Sequence, residues 1–262
     1  MNVKQHLTQL IGNTPMYEIT AFDLPEGVRL FAKLEFLNIG GSIKDRLGFY
    51  LIQQAMERGE LREGDTIIEP TAGNTGIGLA LAAIHFKLHA IFVTPEKFSV
   101  EKQTLMRALG AEVINTPTEL GMARAIEKAK KLADEIPNAY VPNQFQNADN
   151  PDTYYYSLGP EIMADLDGKV DIFVAGAGSG GTFTGTARYL KERNPSIKTV
   201  IVEPEGSILN GGEAGPHKTE GIGLEFIPEF MDDRLFDKIY TISDERAFAK
   251  LAEIAKLEGL LI

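Results

Sequence analysis

The sequence contains no cysteine among its 262 residues, so it can form neither disulfide bonds nor thiolate metal sites. It also lacks a long hydrophobic run, because no stretch approaches the ~18 apolar residues that a membrane-spanning helix needs. The opening MNVKQHLTQL has no apolar core and no cleavage signature, which argues against a signal peptide. These absences predict a protein of the reducing cytoplasm that does not enter a membrane.

Basic residues are also scarce. Lys and Arg number 26 against 37 Asp and Glu, which gives a formal net charge of -11. A protein that binds the phosphate backbone of nucleic acids needs clustered positive charge, so this class of partner is excluded. A local pocket can still hold a small anion against the overall charge. The hydrophobic fraction of 44% is enough to bury one large core or two of ordinary size.

Short β-branched runs alternate with segments that have apolar residues at helical spacing. The predicted strands are 66–69, 90–94, 112–115, 172–175 and 199–203. The predicted helices are 77–86, 100–109, 122–135, 182–192 and 246–257. This alternation predicts an α/β fold with parallel sheets and helices on both sides. The stretch 137–151, rich in Asn and Pro, is interpreted as the connection between two α/β halves.

The segment GGSIKDR (40–46) contains a lysine at the start of a further predicted helix, which runs through Leu47, Tyr50, Leu51, Gln54 and Ala55. Ser42 is a good N-cap, and Asp45 in the first turn complements the helix dipole. Lys44 therefore lies in the first turn, where the positive end of the dipole should lower the pKa of its ammonium group. An amine of this kind could form a Schiff base with an aldehyde cofactor. The alternative is an ordinary solvated surface lysine.

A second glycine-containing loop, EPTAGNTG (69–76), follows a predicted strand and precedes a helix. It therefore lies at the carboxyl edge of a parallel sheet, where open α/β folds bind ligands. Free backbone N–H groups and the hydroxyls of Thr71 and Thr75 could bind a carboxylate, and Asn74 could contact an oxygen. A plain capping loop is the alternative.

The third loop, GAGSGGT (176–182), also joins a strand to a helix. Its small residues let the backbone wrap an anion closely, and the helix dipole supports the negative charge. Gly176, Gly178 and Gly181 also match the dinucleotide pattern GxGxxG, with Glu203 as the acidic residue that the pattern requires. The late position in the chain favours a monophosphate site instead. No His, Asp and Glu cluster has the spacing of metal ligands.

Seven segments carry a resemblance to a known family. They are IGNTP (11–15), GGSIKDR, PTAGNTG, ALGAEV (108–113), NQFQN (143–147), GAGSGGT and EGIG. In this order and spacing they resemble the cysteine synthase and cystathionine β-synthase family of fold-type II pyridoxal-phosphate enzymes. The resemblance implies two doubly wound parallel-sheet domains, 1–148 and 149–262, with 15–37 crossing to the second. It also implies a homodimer.

The resemblance assigns the cofactor residues. Lys44 would hold pyridoxal 5'-phosphate as a Schiff base, and Asn74 would hydrogen-bond its 3′-oxygen. The phosphate would be bound by Gly178, Ser179, Gly180, Gly181 and Thr182. The family continues past the position of Ile262 into a GSSSG-like loop whose serine meets the pyridine nitrogen, so the C-terminal domain is expected to be incomplete here. Ile39 replaces a proline that is common in the family.

The resemblance also implies a reaction, the β-replacement of an amino-acid substituent through an aminoacrylate, with small amino acids and thiols as partners. The substrate would be bound by Thr71, Ala72, Gly73, Thr75, Gln144, Glu220 and Gly221. Ala72 and Glu220 resemble bacterial cystathionine β-synthases that use O-acetylserine, and Glu220 could receive the amino group of homocysteine. Serine is the alternative donor. The alternative functions are a cysteine synthase using sulfide, a serine or threonine dehydratase, and a non-catalytic scaffold protein.

Overall fold

The computed structural model describes residues 3–262. In chain order the strands are β1 (Met16–Ile19), β2 (Leu30–Lys33), β3 (Thr66–Pro70), β4 (His89–Pro95), β5 (Glu112–Thr116), β6 (Ala139–Tyr140), β7 (Ile172–Gly176), β8 (Lys198–Pro204) and β9 (Lys238–Ile242). The α-helices are α1 (Lys44–Glu57), α2 (Asn74–Phe86), α3 (Val100–Ala108), α4 (Gly121–Glu135), α5 (Asp149–Tyr156), α6 (Leu158–Asp165), α7 (Gly181–Arg193) and α8 (Asp244–Glu258). All ten segments predicted from periodicity form the expected element. The helix predicted after Lys44 forms α1. Six elements were not predicted, namely β1, β2, β6, β9, α5 and α6.

The chain divides into two compact units. Unit 1 comprises Met1–Gly12 and Asn38–Asn150, and unit 2 comprises Asn13–Leu37 and Pro151–Ile262. The domain limits inferred from the sequence, at 148 and 149, stay a prediction.

Unit 1 is built on a parallel sheet with the strand order β5-β4-β3-β6. Ile67 and Phe92 pack with buried residues of α1, α2 and α3. Their chain neighbours Ile68 and Val93 pack with Ala125 and Ala129 of α4. Because successive side chains of a strand point to opposite faces, both faces of this sheet are covered by helices. The predicted doubly wound arrangement is therefore present in unit 1.

Two glycines allow α1 and α2 to pack with their backbones in contact. A Cβ atom on Gly48 would overlap the backbone of Gly78, and one on Gly78 would overlap the carbonyl oxygen of Lys44. No side chain fits between the helices at this crossing. The glycine contact therefore fixes the first turn of α1 against the first turns of α2.

Unit 2 is built on a smaller parallel sheet with the order β7-β8-β9. Phe183 and Ala187 of α7 pack on Ile201 of β8, and these residues form the core of the unit. Ile172 and Val174, on the opposite face, are 60% and 53% exposed. One face of this sheet is thus well covered and the other only partly.

The antiparallel hairpin of β1 and β2 is held to α8 by one carboxylate. Glu258 accepts hydrogen bonds from the hydroxyl of Tyr17 at 2.5 Å and from the backbone N–H groups of Thr20 and Ala21 at 2.7 and 2.6 Å. Within residues 3–262, none of the helices is both long enough and apolar enough to span a bilayer.

Candidate cofactor and substrate site

Lys44 is the first residue of α1. The hydroxyl of Ser42 accepts a hydrogen bond from the backbone N–H of Lys44 at 3.2 Å, and Ile43 between them already has helical backbone angles. Ser42 thus acts as the predicted cap. Lys44 is half-buried, and burial lowers the pKa of its ammonium group to about 8. This partial burial argues against an ordinary solvated surface lysine. The cause of the lowered pKa is desolvation of the ammonium group by burial.

A buried carboxylate holds the turn in front of Lys44. Asp45 is fully buried and accepts a hydrogen bond from the backbone N–H of Gly40 at 2.5 Å. A Cβ atom on Gly40 would overlap that carboxylate, and Gly41 adopts a φ of 83°. Both glycines are therefore required by the geometry of this turn.

The loop 71–76 begins α2 and meets a distant segment of unit 1. The hydroxyl of Thr71 accepts a hydrogen bond from the backbone N–H of Gly73 at 3.3 Å. The hydroxyl of Thr75 donates to the side-chain oxygen of Gln144 at 2.9 Å, and both residues are buried. Thr75 and Gln144, predicted as substrate residues on separate motifs, are therefore in direct contact. Ala72, Gly73 and Asn74 are half-buried beside them in sequence.

The backbone of Gln144 is held by two buried residues that the sequence analysis did not assign to the site. Glu69 accepts from the N–H groups of Asn143 and Gln144 at 2.9 and 3.4 Å. Asn150 donates its side-chain amide to the carbonyl of Gln144 at 2.6 Å. The one signal available from the sequence was the Glu-Pro pair at the end of β3, which is repeated at Glu203.

In unit 2, the loop after β7 leads directly into α7. Gly180 precedes the helix with a φ of 80°. The first N–H groups of an α-helix have no acceptor within the helix, so those of Gly181 and Thr182 can bind an anion. Ser179 is buried and Thr182 half-buried.

The segment around Gly221 lies against this loop. A Cβ atom on Gly178 would overlap the carbonyl oxygen of Gly221. The backbone N–H of Gly223 donates to the carbonyl of Ala177 at 2.8 Å. The predicted phosphate residues and Gly221 are thus neighbours, and Glu220 is exposed next to them in sequence.

A doubly wound parallel fold, a desolvated lysine and a glycine loop at a helix N-terminus together are typical of enzymes that bind a phosphorylated aldehyde. The family model described as "Pyridoxal-phosphate dependent enzyme" matches residues 7–262. The chain belongs to this family and is a pyridoxal-phosphate-dependent enzyme.

Relatives of known name extend this result. The chain is 60% identical over 262 residues to the O-acetylserine dependent cystathionine beta-synthase of Bacillus subtilis, covering 100% of this chain and 85% of that protein. It is 58% identical over 254 residues to a cysteine synthase of Helicobacter pylori, covering 96% of this chain and 83% of that protein.

Solved structures agree with the fold. The crystal structure of the O-acetylserine dependent cystathionine beta-synthase from Helicobacter pylori superimposes with a TM-score of 0.94 at 55% identity, covering 100% of this chain and 86% of that one. The cysteine synthase of Entamoeba histolytica gives a TM-score of 0.95 at 39% identity, covering 99% and 78%. The predictions of family, fold class, enzyme and cofactor are confirmed. The family match covers 176–181 and favours the monophosphate interpretation of that loop over the dinucleotide alternative.

The residues present fit the cofactor. Unit 1 supplies a lysine amine of lowered pKa, which suits attachment of an aldehyde. Unit 2 supplies a loop of small residues at the N-terminus of a helix of 13 residues, and in this loop a Cβ atom on Gly178 would overlap the backbone of Gly221. That arrangement suits a phosphate group.

Proposed function

We propose that this protein replaces the β-substituent of O-acetylserine or serine with homocysteine, giving cystathionine. The observation that carries the proposal is the desolvated Lys44 in the same unit as the Thr75–Gln144 pair. The 60% identity to a cystathionine beta-synthase that depends on O-acetylserine supports the choice of substrates.

Lys44 holds the cofactor in this proposal, and Asn74 contacts its ring oxygen. The phosphate is bound by Gly178, Ser179, Gly180, Gly181 and Thr182. Pyridoxal phosphate, when bound, supplies an electron sink that stabilises negative charge on the Cα atom of an amino acid. The lowered pKa leaves a useful fraction of Lys44 neutral, so that its amine can take the Cα proton and later return it.

The α-carboxylate of the substrate is bound by the loop 71–75 and Gln144. The hydroxyl of Thr75 already donates to the side-chain oxygen of Gln144, which leaves the amide N–H₂ of Gln144 as a donor for the carboxylate. The backbone N–H groups and hydroxyls of the loop, with Thr71, Ala72 and Gly73, add further donors. Positioned donors of this kind orient the Cα–H bond toward a base.

Glu220 and Gly221 select the incoming nucleophile. Glu220 is exposed, and its segment is anchored by hydrogen bonds from Lys218 and Thr219 to Asp244 at 2.8 and 3.1 Å. A carboxylate there can pair with the amino group of homocysteine, which sulfide lacks. A cysteine synthase reaction is the second candidate, because a relative of 58% identity has that name. Cytoplasmic location and a homodimer belong to the same proposal.

The visible absorption spectrum of purified holoenzyme, recorded before and after adding O-acetylserine, tests the proposal. A band of lysine-bound cofactor that shifts on addition supports the first half of the reaction, and chromatography of products formed with homocysteine or sulfide identifies the second. The Lys44→Ala variant should lack the lysine-bound band. An unshifted band with O-acetylserine and with serine would overturn the proposed reaction.

A further inference from the structure

Glu69 carries a buried carboxylate at the carboxyl end of β3. It is 2% exposed, and its two oxygens accept the backbone N–H groups of Asn143 and Gln144. Burial raises the pKa of Glu69 to about 7, while the two N–H bonds act in the opposite direction. The proposed reaction does not use this carboxylate. Because burying an ionisable group costs free energy, its position calls for a structural explanation.

Gln144 is held from three sides. Glu69 binds its N–H, Asn150 binds its carbonyl, and Thr75 binds its side-chain oxygen. Glu69, Asn150 and Thr75 are 2%, 0% and 5% exposed, so water competes little for these bonds. The preceding residue, Asn143, has a φ of 49°, in the left-handed region that asparagine adopts more readily than most residues. The N–H of Asn143 is the second group that Glu69 binds.

We propose that Glu69 is a positioning residue for substrate recognition. Its carboxylate fixes the backbone at Asn143 and Gln144, so that the side chain of Gln144 is already oriented for the substrate α-carboxylate. This rests on the proposed function, in which Gln144 contacts that carboxylate. Ordering the segment before the substrate arrives removes an entropic cost from binding. Without Glu69, part of the substrate's binding free energy would be used to order this segment.

A second glutamate provides a matched control in unit 2. Glu203 lies at the carboxyl end of β8 and is 1% exposed. It accepts the backbone N–H groups of Leu209 and Asn210 at 3.1 and 3.0 Å. Like Glu69, it binds two backbone N–H groups of a later segment, and it also accepts a hydrogen bond from the hydroxyl of Thr241 at 3.2 Å. This segment contains none of the proposed carboxylate ligands. Glu203→Gln therefore perturbs an equivalent carboxylate without touching Gln144.

The experiment is a spectroscopic titration of holoenzyme with L-serine and with L-serinamide, which keeps the amine and hydroxyl but replaces the carboxylate by a neutral amide. It is run at about pH 8, above the pKa of Glu69. In Glu69→Gln the amide oxygen can still accept one of the two backbone hydrogen bonds. The amide N–H₂ group faces the other backbone N–H, so that hydrogen bond is lost. We expect L-serine affinity to fall about tenfold and serinamide affinity less than about twofold, as for one lost buried hydrogen bond. KM for O-acetylserine should rise more than kcat falls.

The inference would be overturned if Glu69→Gln lowered the affinities for L-serine and L-serinamide equally. It would also be overturned if Glu203→Gln changed the ratio of these two affinities by the same factor, because Glu69 would then serve stability alone. If Glu69→Gln does not fold, Glu69→Asp replaces it in the test. The aspartate keeps the negative charge, but its shorter side chain moves the carboxylate oxygens away from the backbone N–H groups of Asn143 and Gln144. The same selective loss of L-serine is expected there, and an unchanged ratio counts against the inference. Wild-type enzyme that responds to neither L-serine nor O-acetylserine would overturn the proposed function itself, and with it this inference. If it responds to O-acetylserine alone, the KM and kcat values for O-acetylserine decide, and an unchanged KM in Glu69→Gln counts against the inference.

Discussion

Lys44 shows how a local environment sets chemistry at the scale of one residue. Burial lowers the pKa of its ammonium group to about 8. An amine with that pKa is neutral in about one molecule in ten near pH 7, compared with about one in three thousand for an ordinary lysine. Only the neutral amine attacks an aldehyde or accepts a proton.

The rate of cofactor attachment should therefore depend on pH with a midpoint of about 8. Because the neutral form is the nucleophile, the rate of pyridoxal phosphate binding to apoprotein should rise through that pH and level off above it. Stopped-flow absorbance measures this rate. The matched control is Nα-acetyl-lysine amide, whose ε-amino group is free and exposed to water. A rate that continues to rise to about pH 10, as for the control amine, would contradict the lowered pKa.

Glu220 is expected to affect one nucleophile and not the other. Glu220→Gln removes a charge that can pair with the amino group of homocysteine, so kcat/KM for homocysteine should fall about fivefold to tenfold. The value for sulfide should stay within about twofold. The control is Glu213→Gln, another exposed glutamate between β8 and β9. Equal effects on both nucleophiles would remove Glu220 as a selector.

At the scale of elements, the backbone contact of α1 and α2 connects the lysine to the loop of Asn74. Gly78 lies one turn after Asn74 and meets the carbonyl of Lys44. The position of Lys44 relative to α2 therefore depends on residues that have no chemical group of their own.

Gly78→Ala should push α1 away from α2. The added methyl group has no free volume, so the free energy of unfolding should fall by about 1–3 kcal/mol. Urea denaturation measures this change, and cofactor attachment to Lys44 should slow in parallel. The control is Ile84→Ala on the same helix, where the side chain is 57% exposed and the change should be under about 0.5 kcal/mol. A stable Gly78→Ala with normal attachment would show that the crossing tolerates a side chain.

Gly178→Ala tests the phosphate loop in the same way. Its methyl group would overlap the carbonyl oxygen of Gly221, so the loop must shift and its affinity for pyridoxal phosphate should fall about tenfold or more. Fluorescence titration of apoprotein measures this affinity. Gly215→Ala is the matched control, because its Cβ would meet only Gly206, at 3.7 Å. Equal affinities of the two variants would argue against a tightly built loop.

At the scale of the whole molecule, the two units share one structural feature, a buried glutamate at the end of a strand. Each unit contains a parallel sheet in which one strand ends in a buried glutamate followed by a proline. The carboxylate of this glutamate accepts two backbone N–H groups of a later segment. The repeated Glu-Pro pair was visible in the sequence. That both carboxylates bind backbone in this way was not.

The number of chains in the assembled protein can be tested in solution. The resemblance to the cysteine synthase and cystathionine β-synthase family implies a homodimer. Light scattering coupled to size-exclusion chromatography of holoenzyme should therefore give twice the mass of one chain. The measurement should be repeated over a dilution series, and the mass of one chain throughout would contradict the prediction.

The sequence by itself determined the fold class, the family and the position of the chemical motifs. Apolar periodicity and β-branched runs are local signals, so the ten predicted elements could be located without tertiary information. The short strands β1 and β2 were missed because four residues carry too little periodicity to distinguish them from a loop.

Only the tertiary structure decided which residues support the motifs. Glu69 and Gln144 are 75 positions apart, and Thr75 and Gln144 are 69 apart, so no local pattern connects them. The lowered pKa of Lys44 likewise comes from burial, which depends on the helices packed around it. Sequence motifs identify the reactive groups, because the chemistry of a reactive group belongs to a single side chain. Orientation and pKa depend on neighbours that are distant in sequence, and packing alone brings those neighbours together.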